Sequence, residues 1–163
     1  MKSFKRGLWR WQLHRCLQRV AAVHRDNLVL PDGLDGWVHI AWTLLRPEGL
    51  YVLEVLEGEG QLIAGDMLPE WSLVGKRRRF VFPSPLPELE RKLAAVRLIA
   101  GNVPIAGFLV MHDGLKLARS HPRAVVSLAE LSERLSPLGP GSAVRPDYAQ
   151  SWQRLLAASR PTQ

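Results

Sequence analysis

Apolar residues at Leu13, Cys16, Leu17, Val20 and Val23 or His24 recur every third or fourth position. This spacing predicts an amphipathic helix from Lys5 to about His24, with arginines around the rest of its circumference. Asn27 to Leu30 is a short β-like run closed by the turn cluster Pro31-Asp32-Gly33. Trp37 to Leu45 and Leu50 to Glu57 then read as two strands, rich in aromatic, β-branched and aliphatic residues. Arg46-Pro47-Glu48-Gly49 joins them, its proline pre-set for the bend. If Leu45 faces Leu50 across that loop, Ala41 faces Glu54 and His39 faces Leu56, and the side chains of this ladder share one sheet face.

Glu57-Gly58-Glu59-Gly60 turns the chain into a third short strand around Gln61 to Ala64. Gly65 to Arg79 reads as an irregular connection carrying Trp71 and ending in Lys76-Arg77-Arg78-Arg79. After Pro83, Pro85 and Pro87, the residues Leu86, Leu89, Leu93, Val96 and Ala100 form one helical stripe, which Gly101 is placed to stop. Glu88 and Lys92 lie one turn apart on a neighbouring face, the spacing of a surface ion pair. Ile105 to Met111 is almost continuously apolar, as expected of a strand covered on both faces, and Arg123 to Ser127 is a further short one. Ser127 with Glu130 has capping-box spacing for a helix through Leu135. A loop from Pro137 to Pro146 leads to a terminal helix around Tyr148 to Ala158. The alternation predicts an α/β fold with a mixed central sheet flanked by helices.

With 163 residues, 47% of them hydrophobic and six of them tryptophan, the chain can bury a substantial core, and one domain over 1–163 is the expectation. The single cysteine, Cys16, excludes an intrachain disulfide and a cysteine-based zinc cluster and fits a reducing cytoplasm. Arg10, Arg15 and Arg19 interrupt any signal-peptide core, and no long uncharged apolar run occurs. The expectation is a cytoplasmic protein with no export signal and no membrane span.

A net charge of +7 favours polyanions as partners. The cations gather in two segments: Lys2, Lys5, Arg6, Arg10, Arg15 and Arg19 at the N-terminus, and Lys76, Arg77, Arg78 and Arg79 before the second helix. Such clusters bind phosphates in a salt-sensitive, sequence-tolerant way, so DNA or RNA is the expected partner; an acidic protein surface is the other partner class, and a solvated basic face is the functionless reading. Trp9 and Trp11 lie among the arginines, where they either stack on unpaired bases or anchor the helix to the core.

The run IAWTLLRPEGLYVLEVLEGEGQLIAG, followed by Trp71, resembles the nuclease-related (NERD) domain, in which a strand ends at an acidic residue, turns at Pro/Gly and returns with Glu-x-Lys. Ala41 and Glu54 keep the thirteen-residue interval of that family's Asp and Glu. SPLPELERKLAAVRLI looks like the family's Asn-Pro-x-x-Gln helix start, and VPIAGFLVMHDG like its later core strand and turn. The resemblance covers roughly residues 7–135, leaving 136–163 as a C-terminal extension with a short helix.

The resemblance implies a restriction-endonuclease-like core of the PD-(D/E)XK type, whose acidic residues hold magnesium for phosphodiester hydrolysis. Such a site needs several oxygen ligands and a lysine near the attacking water. Here the family's first-helix Glu falls near Arg10, its strand Asp is Ala41, its Glu is kept as Glu54, its Lys is Leu56 and its helix Gln is Glu88. Losing a carboxylate to a methyl and an ammonium to an isobutyl group points to an inactive nuclease with no cofactor. The alternative is a migrated site of Glu54, His39, Glu88 and Lys92 that works with Mg2+ or Mn2+. Each has a plain structural reading too: His39 as a sheet histidine, Glu88 with Lys92 as a surface pair, and Glu54 as a carboxylate in an apolar strand bridged to a Lys or Arg. His112-Asp113-Gly114 reads as a turn. His14, His24 and His121 have no ligand spacing.

Overall fold

The computed structural model describes residues 2–161, so the ends of the expected 1–163 domain lie outside the described residues. The first half runs α1 (Lys2–Val20), β1 (Val23–Pro31), β2 (Trp37–Arg46), β3 (Gly49–Leu56), β4 (Gly60–Ile63), β5 (Glu70–Val74) and β6 (Arg79–Pro83). The second half runs α2 (Leu86–Ala100), β7 (Ile105–Met111), β8 (Leu115–Leu117), β9 (Val125–Val126), α3 (Leu128–Arg134) and α4 (Pro146–Ala158).

Five strands in the order β1-β2-β3-β7-β9 make a mixed sheet: β1 to β3 pair antiparallel, while β7 lies parallel to both β3 and β9. A smaller mixed sheet has the order β6-β5-β4-β8. The fold is therefore α/β, with helices on both faces of the central sheet. On one face, Leu89, Leu93 and Val96 of α2 and Trp152 and Leu155 of α4 pack against Ile40, Val52 and Leu109. On the other, Trp9, Leu13 and Leu17 of α1 and Leu131 of α3 pack against Leu44, Leu53 and Val110. Cys16 is buried there, its thiol 3.2 Å from the Ser132 hydroxyl.

The second helix, the Ile105–Met111 strand and the Ser127 cap stand where the sequence pattern puts them. Gly101 stops α2 with φ at 78°, and the Ser127 hydroxyl accepts the Glu130 amide at 3.1 Å. The first helix begins and ends earlier than predicted, at Lys2 and Val20 instead of Lys5 and about His24. It ends at Val20 because Ala22 donates its N–H to Leu45 at 2.9 Å and Val23 and His24 become the first rungs of β1, opposite Leu45 and Leu44.

The expected irregular stretch from Gly65 to Arg79 is largely a hairpin. Trp71 pairs with Phe82 and Leu73 with Phe80, and Gly75 donates to Arg78 at 2.9 Å across the turn. The basic run therefore occupies a β-turn between two runs of good β-formers, and its charge masked the strands on either side. Trp71 is fully buried, its indole N–H donating to the Gly65 carbonyl at 3.1 Å. Strand β8, also unforeseen, is three residues added parallel to β4.

The β2–β3 register is the predicted one, Leu45 opposite Leu50 and Trp42 opposite Leu53. Gly49 sits at the start of β3 with φ at 150°, and a Cβ there would lie 2.3 Å from the Pro104 carbonyl oxygen. The predicted shared face does not hold. Val38, Ile40 and Leu45 all enter the α2-side core, whereas Leu44 enters the α1-side core, so the side-chain alternation of β2 inverts around Ala41. Asn27, on the neighbouring strand at the same level, has φ at 52°. His39, between Val38 and Ile40, is thereby turned to the face opposite Leu45 and Glu54.

Candidate functional site

Glu54 follows Val52 and precedes Leu56 on the α2-facing side of β3, since both of those residues pack into the α2-side core. One carboxylate oxygen, Oε1, accepts from Lys92 Nζ at 3.0 Å and from the Ala41 backbone N–H at 3.0 Å. The two side chains are only 17% and 13% exposed. The carboxylate takes the place of a main-chain acceptor just where β2–β3 pairing stops, so it closes the end of the ladder as well as neutralising an ammonium.

Of the rest of the migrated set, Lys92 reaches Glu54, while His39 and Glu88 have other partners. His39 is exposed, with Nε2 3.0 Å from the Asn27 side-chain oxygen. The expected pair between Glu88 and Lys92 is replaced by two others: Glu88 accepts from Arg91 at 3.3 Å, and Lys92 turns inward to Glu54. Arg91 reaches on to Asp32 at 2.6 Å, joining the start of α2 to the β1–β2 connection. Among the described residues, no group of three or more His, Cys, Asp or Glu side chains is placed to hold a metal ion. The donor set around Glu54 offers one carboxylate already shared by two donors, which does not fit the several oxygen ligands a hard divalent cation takes.

Ala41 and Arg10, the positions matching two acidic residues of the resembled family, line a different, small pocket of about 180 Å³ between α1 and the sheet, together with Asp26, Trp42 and Glu57. Leu56 belongs to the α2-side core. The inversion around Ala41 thus separates what an undistorted ladder would have gathered.

The basic residues do converge. Lys5 and Arg6 of α1, Lys76 of the β5–β6 turn and Lys116 of β8 line one groove of about 1050 Å³, with Glu57, Glu59 and Asp113 also on its wall. Lys116 carried no signal in the sequence beyond its charge, because its strand is so short. Arg6 lies 3.9 Å from Glu57 at an exposed site, a pair of small energetic weight. Arg77 and Arg78 are exposed on the turn, and Arg79 donates to the Ser72 hydroxyl at 3.0 Å. Arg15 lies over the Trp11 ring at 4.9 Å, and Arg19 is exposed. The Lys2 side chain lies outside the described residues.

His112 forms part of the groove wall and closes the predicted turn, its carbonyl accepting from Leu115 at 3.0 Å. Its Nδ1 is 2.9 Å from an Asp113 carboxylate oxygen, while Nε2 is buried with no hydrogen-bond partner among the described residues, and the imidazole and Trp9 ring centres are 5.0 Å apart. His14 and His24, far apart in sequence pattern, meet at 5.4 Å against Trp42. Burial, then the charge of His14, pulls the His24 imidazole below its ordinary value. Among the described residues, no helix is long and apolar enough to cross a membrane.

Compared with protein families, curated proteins and solved structures, the chain finds no match.

Proposed function

We propose that this protein is a nuclease-related domain with a restriction-endonuclease-like core that has given up cleavage and binds nucleic acid through its basic segments. The observation that carries the reading is the convergence of Lys5 and Arg6 with Lys76, seventy residues distant in the chain, and with Lys116 on one groove. Two segments singled out by charge alone share a surface, which is what phosphate binding requires. The inactive half of the reading is supported by Glu54, the one acidic position kept from the resembled site, which is held by Lys92 and the Ala41 amide. Metal-dependent hydrolysis by Glu54 with His39, Glu88 and Lys92 is the competing reading, favoured only by the Glu54–Lys92 contact.

Salt titration tests it. If the four groove cations each neutralise one phosphate, raising salt from 50 to 200 mM weakens binding by about 50-fold for a single strand and about 150-fold for a duplex. Affinity unchanged across that range overturns the phosphate-contact mechanism.

A further inference from the structure

Helix α1 has two apolar faces. Trp9, Leu13, Cys16, Leu17 and Val20 are buried against the sheet. Phe4, Leu8 and Trp11, at the i, i+4, i+7 positions of the opposite side, are 78%, 47% and 53% exposed. None of the residues from Lys2 to Val20 is acidic. The outer stripe is therefore an aromatic surface on an acid-free helix, with Glu57 beside it at 3.9 Å from Arg6. The Arg15 guanidinium covers one side of the Trp11 ring at 4.9 Å. Leu8 continues the stripe into the groove lined by Lys5, Arg6, Lys76 and Lys116, which outnumber the carboxylates of Glu57, Glu59 and Asp113 on the same wall.

Resting on the nucleic-acid reading above, we infer that the ligand is single-stranded, laid along the outer face of α1 with bases stacked on Trp11 and Phe4 and its phosphates drawn into the adjoining groove. Exposed aromatic faces are of use only to bases whose own faces are free, and a duplex keeps those stacked inside. A bilayer would ask for aromatics and cations on a single plane. Here Lys5 and Arg6 turn aside into a concavity shared with two lysines of the smaller sheet, which suits a narrow flexible strand. Charge argues against a second copy of this chain, since two acid-free helices would face each other.

The test is fluorescence anisotropy with the full chain, using a labelled oligo(dT) of about fifteen nucleotides and a labelled duplex of equal length. The expected result is oligo(dT) bound about tenfold tighter than duplex, a further loss of about tenfold for oligo(dT) alone in Trp11→Ala, and recovery in Trp11→Phe, which restores a ring. Circular dichroism melting reports whether each variant is folded, and Phe4→Ala serves as a second probe on the most exposed ring. Equal affinity for the two oligonucleotides, or folded Trp11→Ala and Phe4→Ala proteins that bind oligo(dT) as the parent does, overturns the single-strand inference and leaves the nucleic-acid reading standing. Failure to bind either oligonucleotide overturns both. Trp11-dependent capture by phosphatidylserine/phosphatidylcholine vesicles without oligonucleotide binding overturns both in favour of a lipid surface.

Discussion

Lys92 places its ammonium 3.0 Å from the Glu54 carboxylate, joining the middle of α2 to the edge of the β2–β3 ladder in a largely buried ion pair. Removing one partner of such a pair strands the other charge, whereas removing both leaves apolar neighbours to close the gap. Lys92→Met is expected to lower stability by about 2–4 kcal/mol, and the double variant Glu54→Leu/Lys92→Met by much less than the sum of its singles. Urea denaturation of the four proteins measures the coupling. Single variants as stable as the parent would mean that Glu54 is not tied down and is free for other work.

Arg46 is buried more completely than either Glu54 or Lys92, 6% exposed at the end of β2. It is bound to Glu48 at 2.6 Å, to the Ser136 carbonyl at 3.0 Å and to the Val20 carbonyl at the end of α1. Arg46→Met leaves the buried Val20 carbonyl and the part-buried Ser136 carbonyl without this donor, a loss of about 3 kcal/mol, equivalent to roughly 6–12 °C in Tm for a chain of this size. Arg46→Lys recovers little, because a single ammonium cannot span the separate acceptors that a planar guanidinium reaches. Thermal melting of both variants checks this.

Acid should unlock the β1–β2 connection. The Arg91 hydrogen bond, followed by the Leu34 amide, holds the Asp32 carboxyl below its ordinary value of 3.8. A carboxyl depressed in the folded state contributes stability that is present above its unfolded value and is lost as pH falls through the folded one. The loss therefore begins as pH drops below about 4. Asp32→Asn should flatten the acid limb of the stability curve, measured as urea midpoints between neutral pH and the acid transition. An unaltered acid limb assigns that limb to other carboxyls.

Alkali should act on Tyr51. Burial, then the charge of Glu48, pushes its phenol up from 10.0 to about 12. A raised folded value means that this contribution is present below the unfolded value and is lost as pH climbs from 10 toward 12. Ultraviolet titration should show a tyrosine transition near 12 that Tyr51→Phe removes. A transition that Tyr51→Phe removes near 10 instead contradicts this.

Much of the scaffold was legible because it is written in local chemistry: the Pro47 bend and Gly49 fix the β2–β3 register, Gly101 stops α2, and Ser127 with Glu130 caps α3. The partner of Glu54 was foreseen in kind, as a Lys or Arg, but not in identity, since Lys92 sits at a spacing that equally suits Glu88 and only the packing of α2 on the sheet decides between them. The inversion around Ala41 was invisible because it depends on paired distortion of two strands, one of them at Asn27, with no glycine to announce it. Of the outer stripe of α1, Trp11 stood out among the arginines but Phe4 and Leu8 did not, for a related reason. Phe4, Leu8 and Trp11 follow the same helical period as the inner residues, and with two faces apolar the pattern alone does not say which is buried.

Binding without cleavage can be read from one gel, on which plasmid and single-stranded DNA are incubated with the protein in magnesium, manganese or EDTA, beside Glu54→Ala, and scored for both cutting and retardation. The expected result is retardation of intact DNA, unaffected by metal and weakened by salt. Metal-dependent cutting that Glu54→Ala abolishes would contradict it, and would make Glu54 a working ligand despite its bond to Lys92.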